Sequence, residues 1–288
     1  MASEVKTNKV SPSTGTTLSV GDSGDTLALA VDSVTGLKVG SDAAGDVLYN
    51  DGTDYTRLAK PGTPAGEVLT FATSATAPSW VAASSAGFTS VQVFPSTLGW
   101  TRPTDITKVI VQVQGAGGGG GGGNDSVKGS GGGAGGWISA VVDVSGISSS
   151  TITIGAGGAL GGTSANGSVG GSSSWADATN TLTATGGGAG GLGNADGGLS
   201  GTGTSSAGSD ITGFFIRRGS MGGSNSTSGA TGDGGSSVWG AGAMHSYTGS
   251  ALAAYGYGGG GGGGWNDASA GHSGTAGAGG YVIVWEYK

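Results

Sequence analysis

The chain has 288 residues, of which 69 are glycine, none is cysteine and only 10% are charged, against roughly 7% glycine and 25% charge in ordinary globular chains. That balance excludes a helical bundle, a disulfide framework and cysteine-based zinc or thiol chemistry. The net charge of -7 is shared by both parts of the chain, -4 in residues 1–100 and -3 in residues 101–288, so no basic face is available for phosphates and nucleic acid is not an expected partner.

Glycine is distributed unevenly: residues 1–100 hold 11 and residues 101–288 hold 58. The composition changes near Pro95 to Pro103, and all six prolines lie at or before Pro103. The glycine-rich part therefore lacks the proline content and the strict Gly-X-Y period of collagen. No apolar run approaches the roughly 20 residues of a membrane helix, and no apolar h-region follows Met1.

In chain order, residues 17–20 (TLSV) and 26–31 (TLALAV) read as short strands around a turn-rich cluster at 21–25. Residues 45–49 (GDVLY) and 55–58 (YTRL) flank a hairpin signal in which Gly52 can take positive φ. After a turn at 61–64, residues 68–71 and 78–81 read as two further strands. Each strand is too short to bury a core in a single copy, and such segments gain burial by association.

These N-terminal residues also carry a resemblance. The opening MASEVKTNKVSP with GDSGDT at 21–26 resembles the start of bacteriophage tail-fibre proteins, particularly those of marine phages. The stretch GDVLYNDG at 45–52, Arg57-Leu58, GEVLT at 66–70 and PSW at 78–80 is similar to a module that recurs in phage fibre shafts, although Glu67 and Val68 stand where that module often has another pair. The resemblance implies a homotrimeric virion fibre. Residues 1–35 would attach it to other tail or adaptor proteins, residues 36–84 would form the shaft, and residues 85–103 would be a linker.

Beyond the boundary, residues 106–114 (ITKVIVQVQ) alternate with period two, placing Val109, Val111 and Val113 on one face and Ile110, Gln112 and Gln114 on the other. Residues 137–144, 151–154, 181–185 and 281–287 read as further strands, which gives an all-β fold. Trp137, Tyr281 and Trp285 lie on these strands and are assigned to packing. The order of strand, poly-glycine, strand, TITIGAGG and final GGYVIV resembles the glycine-rich domain at the tips of phage tail fibres and adhesins. That resemblance covers about 106–287 and implies a distal domain at 104–288 that binds a host surface glycan or an outer-membrane protein.

Three readings of the glycine tracts compete. One is a flexible linker. A second is a phosphate-binding loop, but no Gly-X-Gly-X-X-Gly match sits between a strand and a helix and no Gly-X4-Gly-Lys-Ser/Thr occurs. The third is a set of packed polyglycine helices with the polyproline II backbone, three residues per turn, which is the favoured expectation here.

Three segments stand out as candidate recognition loops, because aromatic rings give rigid contact area and arginine pairs with anionic or sugar groups. The first holds Phe214, Phe215, Arg217 and Arg218, for which a plain strand with one buried face is the favoured reading. The second holds Trp239, His245, Tyr247, Tyr255 and Tyr257. The third holds Trp265 and His272, and for both Trp239 and Trp265 simple packing is the competing reading. The two histidines are too far apart for a recognisable metal-ligand spacing, and neither a metal nor a cofactor is expected. Nine acids lie beyond residue 100, none within eight residues of another, so no carboxylate pair is marked for glycan cleavage. Catalysis is not expected.

Overall fold

The computed structural model describes residues 43–52, 55–63, 65–71, 77–83, 87–193, 196–206, 210–224, 231–247, 251–267 and 270–288. Every regular element among them is a strand, and every strand pairing is antiparallel. The chain divides into two units, Met1–Ser84 and Ser85–Lys288. The expected strands at 17–20 and 26–31, and the attachment segment 1–35, lie outside the described residues.

In the first unit β1 (Val47–Asn50) pairs with β2 (Tyr55–Leu58), and β3 (Glu67–Thr70) pairs with β4 (Ser79–Ala82). Gly52 takes φ +102° in the first hairpin, as its turn sequence requires. Asp46 ties this hairpin to the chain that follows. Its carboxylate accepts from the backbone N–H of Lys60 at 2.8 Å and of Ala43 at 2.7 Å, and from Arg57 at 3.1 Å.

The second unit begins earlier than the composition implies. Residues 85–103, expected to be a linker, supply β5 (Phe88–Phe94) and β6 (Leu98–Thr101). The other strands are β7 (Lys108–Gln114), β8 (Trp137–Asp143), β9 (Ser149–Thr153), β10 (Ser173–Ala176), β11 (Thr181–Ala184), β12 (Gly203–Ser206), β13 (Ile211–Arg217) and β18 (Tyr281–Tyr287). Two-residue ribbons complete the set: β14 (Gly240–Ala241) with β15 (Tyr255–Gly256), and β16 (Asn266–Asp267) with β17 (Ala270–Gly271). Two five-stranded sheets, ordered β13-β8-β7-β18-β5 and β12-β11-β10-β9-β6, enclose the core.

Val109, Val111 and Val113 face inward as their alternation predicts, and meet Trp100, Ile152, Trp175 and Leu182 within the core. Glu286 is also inside, 1% exposed. Its carboxylate accepts from Trp100 Nε1 at 2.8 Å, from Gln92 Nε2 at 2.7 Å and from Ser90 Oγ. A buried carboxylate needs such donors to be tolerated. They fix β5 with Ser90 and Gln92 inward, so Val91 and Val93 point outward.

Eight strands run directly into glycine tracts, and there the hydrogen bonding changes from two directions to three. In the tract 115–123, Gly115, Gly118 and Gly121 donate to the carbonyls of Gly136, Gly133 and Ser130. Ala116, Gly119 and Gly122 donate to Gly171, Ser168 and Ala165, while Gly117, Gly120 and Gly123 donate to Ala278, Thr275 and His272. The partner returns every third residue, and all three partner segments run antiparallel. Three parallel segments donate back: Gly187 and Gly190 to Ala116 and Gly119, Gly158 and Gly161 to Gly117 and Gly120, and Gly261 and Gly264 to Gly118 and Gly121. The tract thus has six hydrogen-bonded neighbours, and from 116 to 121 every backbone N–H and C=O is paired. The tract 129–136 repeats the scheme with donations to 258–264, 185–191 and 220–223.

Glycine is needed here for closeness, not for positive φ: none of residues 115–123 has positive φ. A Cβ on Gly117, Gly118 or Gly120 would lie 1.9, 2.0 or 2.0 Å from the carbonyl oxygen of Gly259, Gly188 or Gly262. Where β7 passes into its tract, Gln114 Nε2 donates to the carbonyls of Gly115, Gly135 and Gly136. The buried amide thereby serves carbonyls at the change of pairing direction.

Two predictions follow from this geometry. Gly120→Ala is expected to destabilise the protein by about 3 kcal/mol, at the upper end of overpacking costs because the colliding group is backbone. Gly146→Ala, at a site with open space and no positive φ, is expected to be neutral or about 0.5 kcal/mol stabilising; thermal unfolding followed by circular dichroism compares them. The second concerns pH. The N–H groups of Lys60 and Ala43, and then Arg57, hold the Asp46 carboxyl below its ordinary value of 3.8. A lowered folded-state pKa stabilises the fold above that ordinary value and loses the stabilisation as pH falls through the folded one. Exchange protection of the Lys60 amide, read by NMR, is expected to fade on acidification below that range and to be missing at neutral pH in Asp46→Ala.

Candidate functional site

The register of the tracts sorts the loops between them. Gly123 donates to His272, Gly129 to Gly264, Gly122 to Ala165, Ser130 to Gly191 and Gly131 to Gly223. Residues 123–129, 162–165, 191, 198, 223, 232, 264 and 272 therefore lie at one end of the array. The sandwich occupies the other. Within the tracts 115–123 and 129–136 no side chain is larger than those of Ala116, Ser130 and Ala134, so at that end larger side chains project from the loops.

These loops are held by local hydrogen bonds. Asn124 Oδ1 accepts from the N–H groups of Ser126 at 2.9 Å and Val127 at 2.8 Å, an Asx-type turn. Asn166 Oδ1 accepts from the N–H of Leu192 at 2.7 Å, and Asp267 Oδ1 from that of Ala270 at 2.6 Å. Four of the expected recognition residues meet on this framework: His245, Tyr247, Trp265 and His272. His245 Nδ1 lies 2.7 Å from Asp233 Oδ1. The His245 ring meets the Tyr247 ring edge-on, with centroids 4.9 Å apart. Tyr247 in turn approaches Trp265 at 6.2 Å, and Lys128 Nζ sits 4.3 Å from the Trp265 ring centroid, a cation–π contact. His272 Nε2 lies 3.2 Å from Asp267 Oδ2 on the β16–β17 ribbon.

The remaining candidates lie elsewhere. Trp239, Tyr255 and Tyr257 cluster about the β14–β15 ribbon near the sandwich, where Gly258 bonds to Gly279. Tyr255 is 83% exposed, whereas Tyr257 stacks on Tyr281 with centroids 4.2 Å apart. Burial, then the nearby Tyr257, raises the Tyr281 phenol above its ordinary value. Phe214, Phe215, Arg217 and Arg218 lie on or just after β13, the edge strand paired to β8. Phe215 is 75% exposed there. The strand reading of that segment holds, but its residues are not buried on either face.

The sequence reading did not single out Lys128. Its signal was faint: a lone cation between two glycine runs, and one of six basic residues beyond position 100. Asp233 drew notice only for its Thr-Gly-Asp-Gly context, and its partner is His245. Among the described residues no three His, Asp or Glu side chains converge as metal ligands. No helix among the described residues is long and apolar enough to cross a membrane.

The sequence profile of the family described as Glycine-rich domain matches residues 89–286. The chain belongs to that family. The matched span opens within β5 and closes within β18, so the glycine-rich domain comprises the sandwich and its tracts together. No curated protein matches the chain.

Proposed function

We propose that this protein is a bacteriophage tail-fibre component whose glycine-rich domain recognises a host-cell surface, a glycan or an outer-membrane protein loop. One observation carries the reading: the loops bearing Lys128, His245, Tyr247 and Trp265 share one end of an array whose central tract is fully paired from 116 to 121. A hydrogen-bonded scaffold holds such side chains in place before contact and lowers the ordering cost of binding. Aromatic, cationic and carboxylate groups side by side suit a polar, ring-bearing ligand. The resemblance of residues 1–82 to fibre proteins supplies the virion setting, with residues 1–35 attaching to tail or adaptor proteins.

The same proposal takes the tracts as left-handed polyglycine helices. Negative φ, a three-residue return of hydrogen-bond direction and six neighbours are the features of packed polyproline II chains. It takes residues 36–84 as a shaft module in a homotrimer. Its two hairpins leave Leu48, Val68, Leu69, Phe71 and Val81 exposed, and isolated two-stranded ribbons need added burial to be stable. Many copies per virion would then turn a weak contact into firm attachment by avidity. The role is binding, with no catalysis and no cofactor.

Adsorption of particles carrying Tyr247→Ala with Trp265→Ala tests the reading. We expect adsorption to fall about tenfold or more, the loss typical of aromatic hot spots, while Tyr255→Ala leaves it unchanged. Normal adsorption by the double variant would contradict the assignment. Particles that fail to assemble would instead point to a structural connector of the virion.

A further inference from the structure

The outer face of the sheet β13-β8-β7-β18-β5 is unlike that of an ordinary exposed antiparallel sheet, which turns polar side chains to water. The register aligns Val141, Ile110, Trp285 and Val91 across four strands in one row. The next row runs from Phe215 through Ser139, Gln112 and Ile283 to Val93. Charge is confined to the margins: Lys108 faces Asp143, and Arg217 sits beside Trp137 on the edge strand.

The edge strand β5 makes the inversion deliberate. Its polar Ser90 and Gln92 bind Glu286 inside the sandwich, and its Val91 and Val93 are turned outward. Shifting the register by one residue would bury the valines, but it would strip a buried carboxylate of two of its donors. The register is therefore locked with the apolar side out. Val91 is 42% and Val93 50% exposed on β5, and Phe215 is 75% exposed at the opposite edge, while Ser139 and Ile283 between them are each 7% exposed.

We infer that this face is the contact between copies of the glycine-rich domain within the homotrimer, an inference that rests on the fibre reading above. A second copy fits better than a charged partner, because the centre of the face offers nothing for a charge to pair with, while an apolar surface complements itself. The size is suitable too. Five strands, each of seven residues, at roughly 4.8 Å spacing and 3.4 Å rise, span about 600 Å² in projection. That is on the scale of the roughly 800 Å² of accessible surface per partner in stable interfaces. In this arrangement the sheets face inward toward neighbouring copies, and the loops at the far end of the tracts stay free.

The chain has no cysteine, so single cysteines report contacts without background. The full-length Val93→Cys protein is treated with a long-armed bis-maleimide and run on a denaturing gel, with Val169→Cys as the exposed control outside the face. We expect up to two thirds of the Val93→Cys chain in covalent dimers, since one thiol per chain leaves the third copy of each trimer unlinked, and Val169→Cys as monomer. Monomer alone from Val93→Cys, or equal cross-linking at both sites, overturns the interface. Adsorption by the Tyr247 and Trp265 variants reads the loops separately, so failure of the interface and failure of the adhesin reading are distinguishable.

Discussion

The hydrogen bond between closely packed tract backbones is the interaction on which the rest of this molecule depends. A glycine in a tract loses more conformational freedom on folding than alanine would, about 1 kcal/mol per residue. One paired N–H and C=O contributes on the order of 1 kcal/mol net, and the weak Cα–H···O contacts between tracts add fractions of that. The balance favours order only where both backbone groups of each residue find partners. Residues 116–121 meet that condition because six neighbours surround them. No tract could persist alone, so the array forms as a cooperative whole.

The sandwich supplies the starting points. Strands β7, β8 and β18, with their runs of valine and isoleucine, bury the core residues that make the second unit a hydrophobic fold in its own right. Each feeds a tract without a turn between. Spacing set by the sheets delivers the tracts side by side, and Gln114 serves carbonyls where pairing changes direction. Substitutions inside the array meet backbone at once, while the loops at its far end are free to vary in chemistry. In the proposed role, this separation lets recognition residues change without disturbing the scaffold.

The sequence showed some of this clearly. Alternation in residues 108–114 and the apolar run at 281–287 announced strands whose valines are buried, and Gly52 announced its hairpin. It hid β5, whose polar residues face inward and whose apolar residues face out, because the inward partner, Glu286, lies at the opposite end of the domain sequence. It hid β10 as well, since Ser173 to Ala176 offers only Trp175 among small residues. For the site, aromatic residues were visible, but their grouping was not. Which loops share an end depends on the register of tracts that look alike in sequence, so Tyr247 joins Trp265 while Tyr255, closer to Tyr247 along the chain than Trp265 is, does not.

Amide hydrogen exchange resolved by mass spectrometry over residues 115–123 and 129–136 tests the central claim most directly. The account predicts exchange as slow as in β7 and β18, limited by global unfolding, since opening one tract breaks bonds to its neighbours. Exchange within seconds, at the rate of unstructured glycine-rich chain, would contradict it and leave the tracts as linkers between strands.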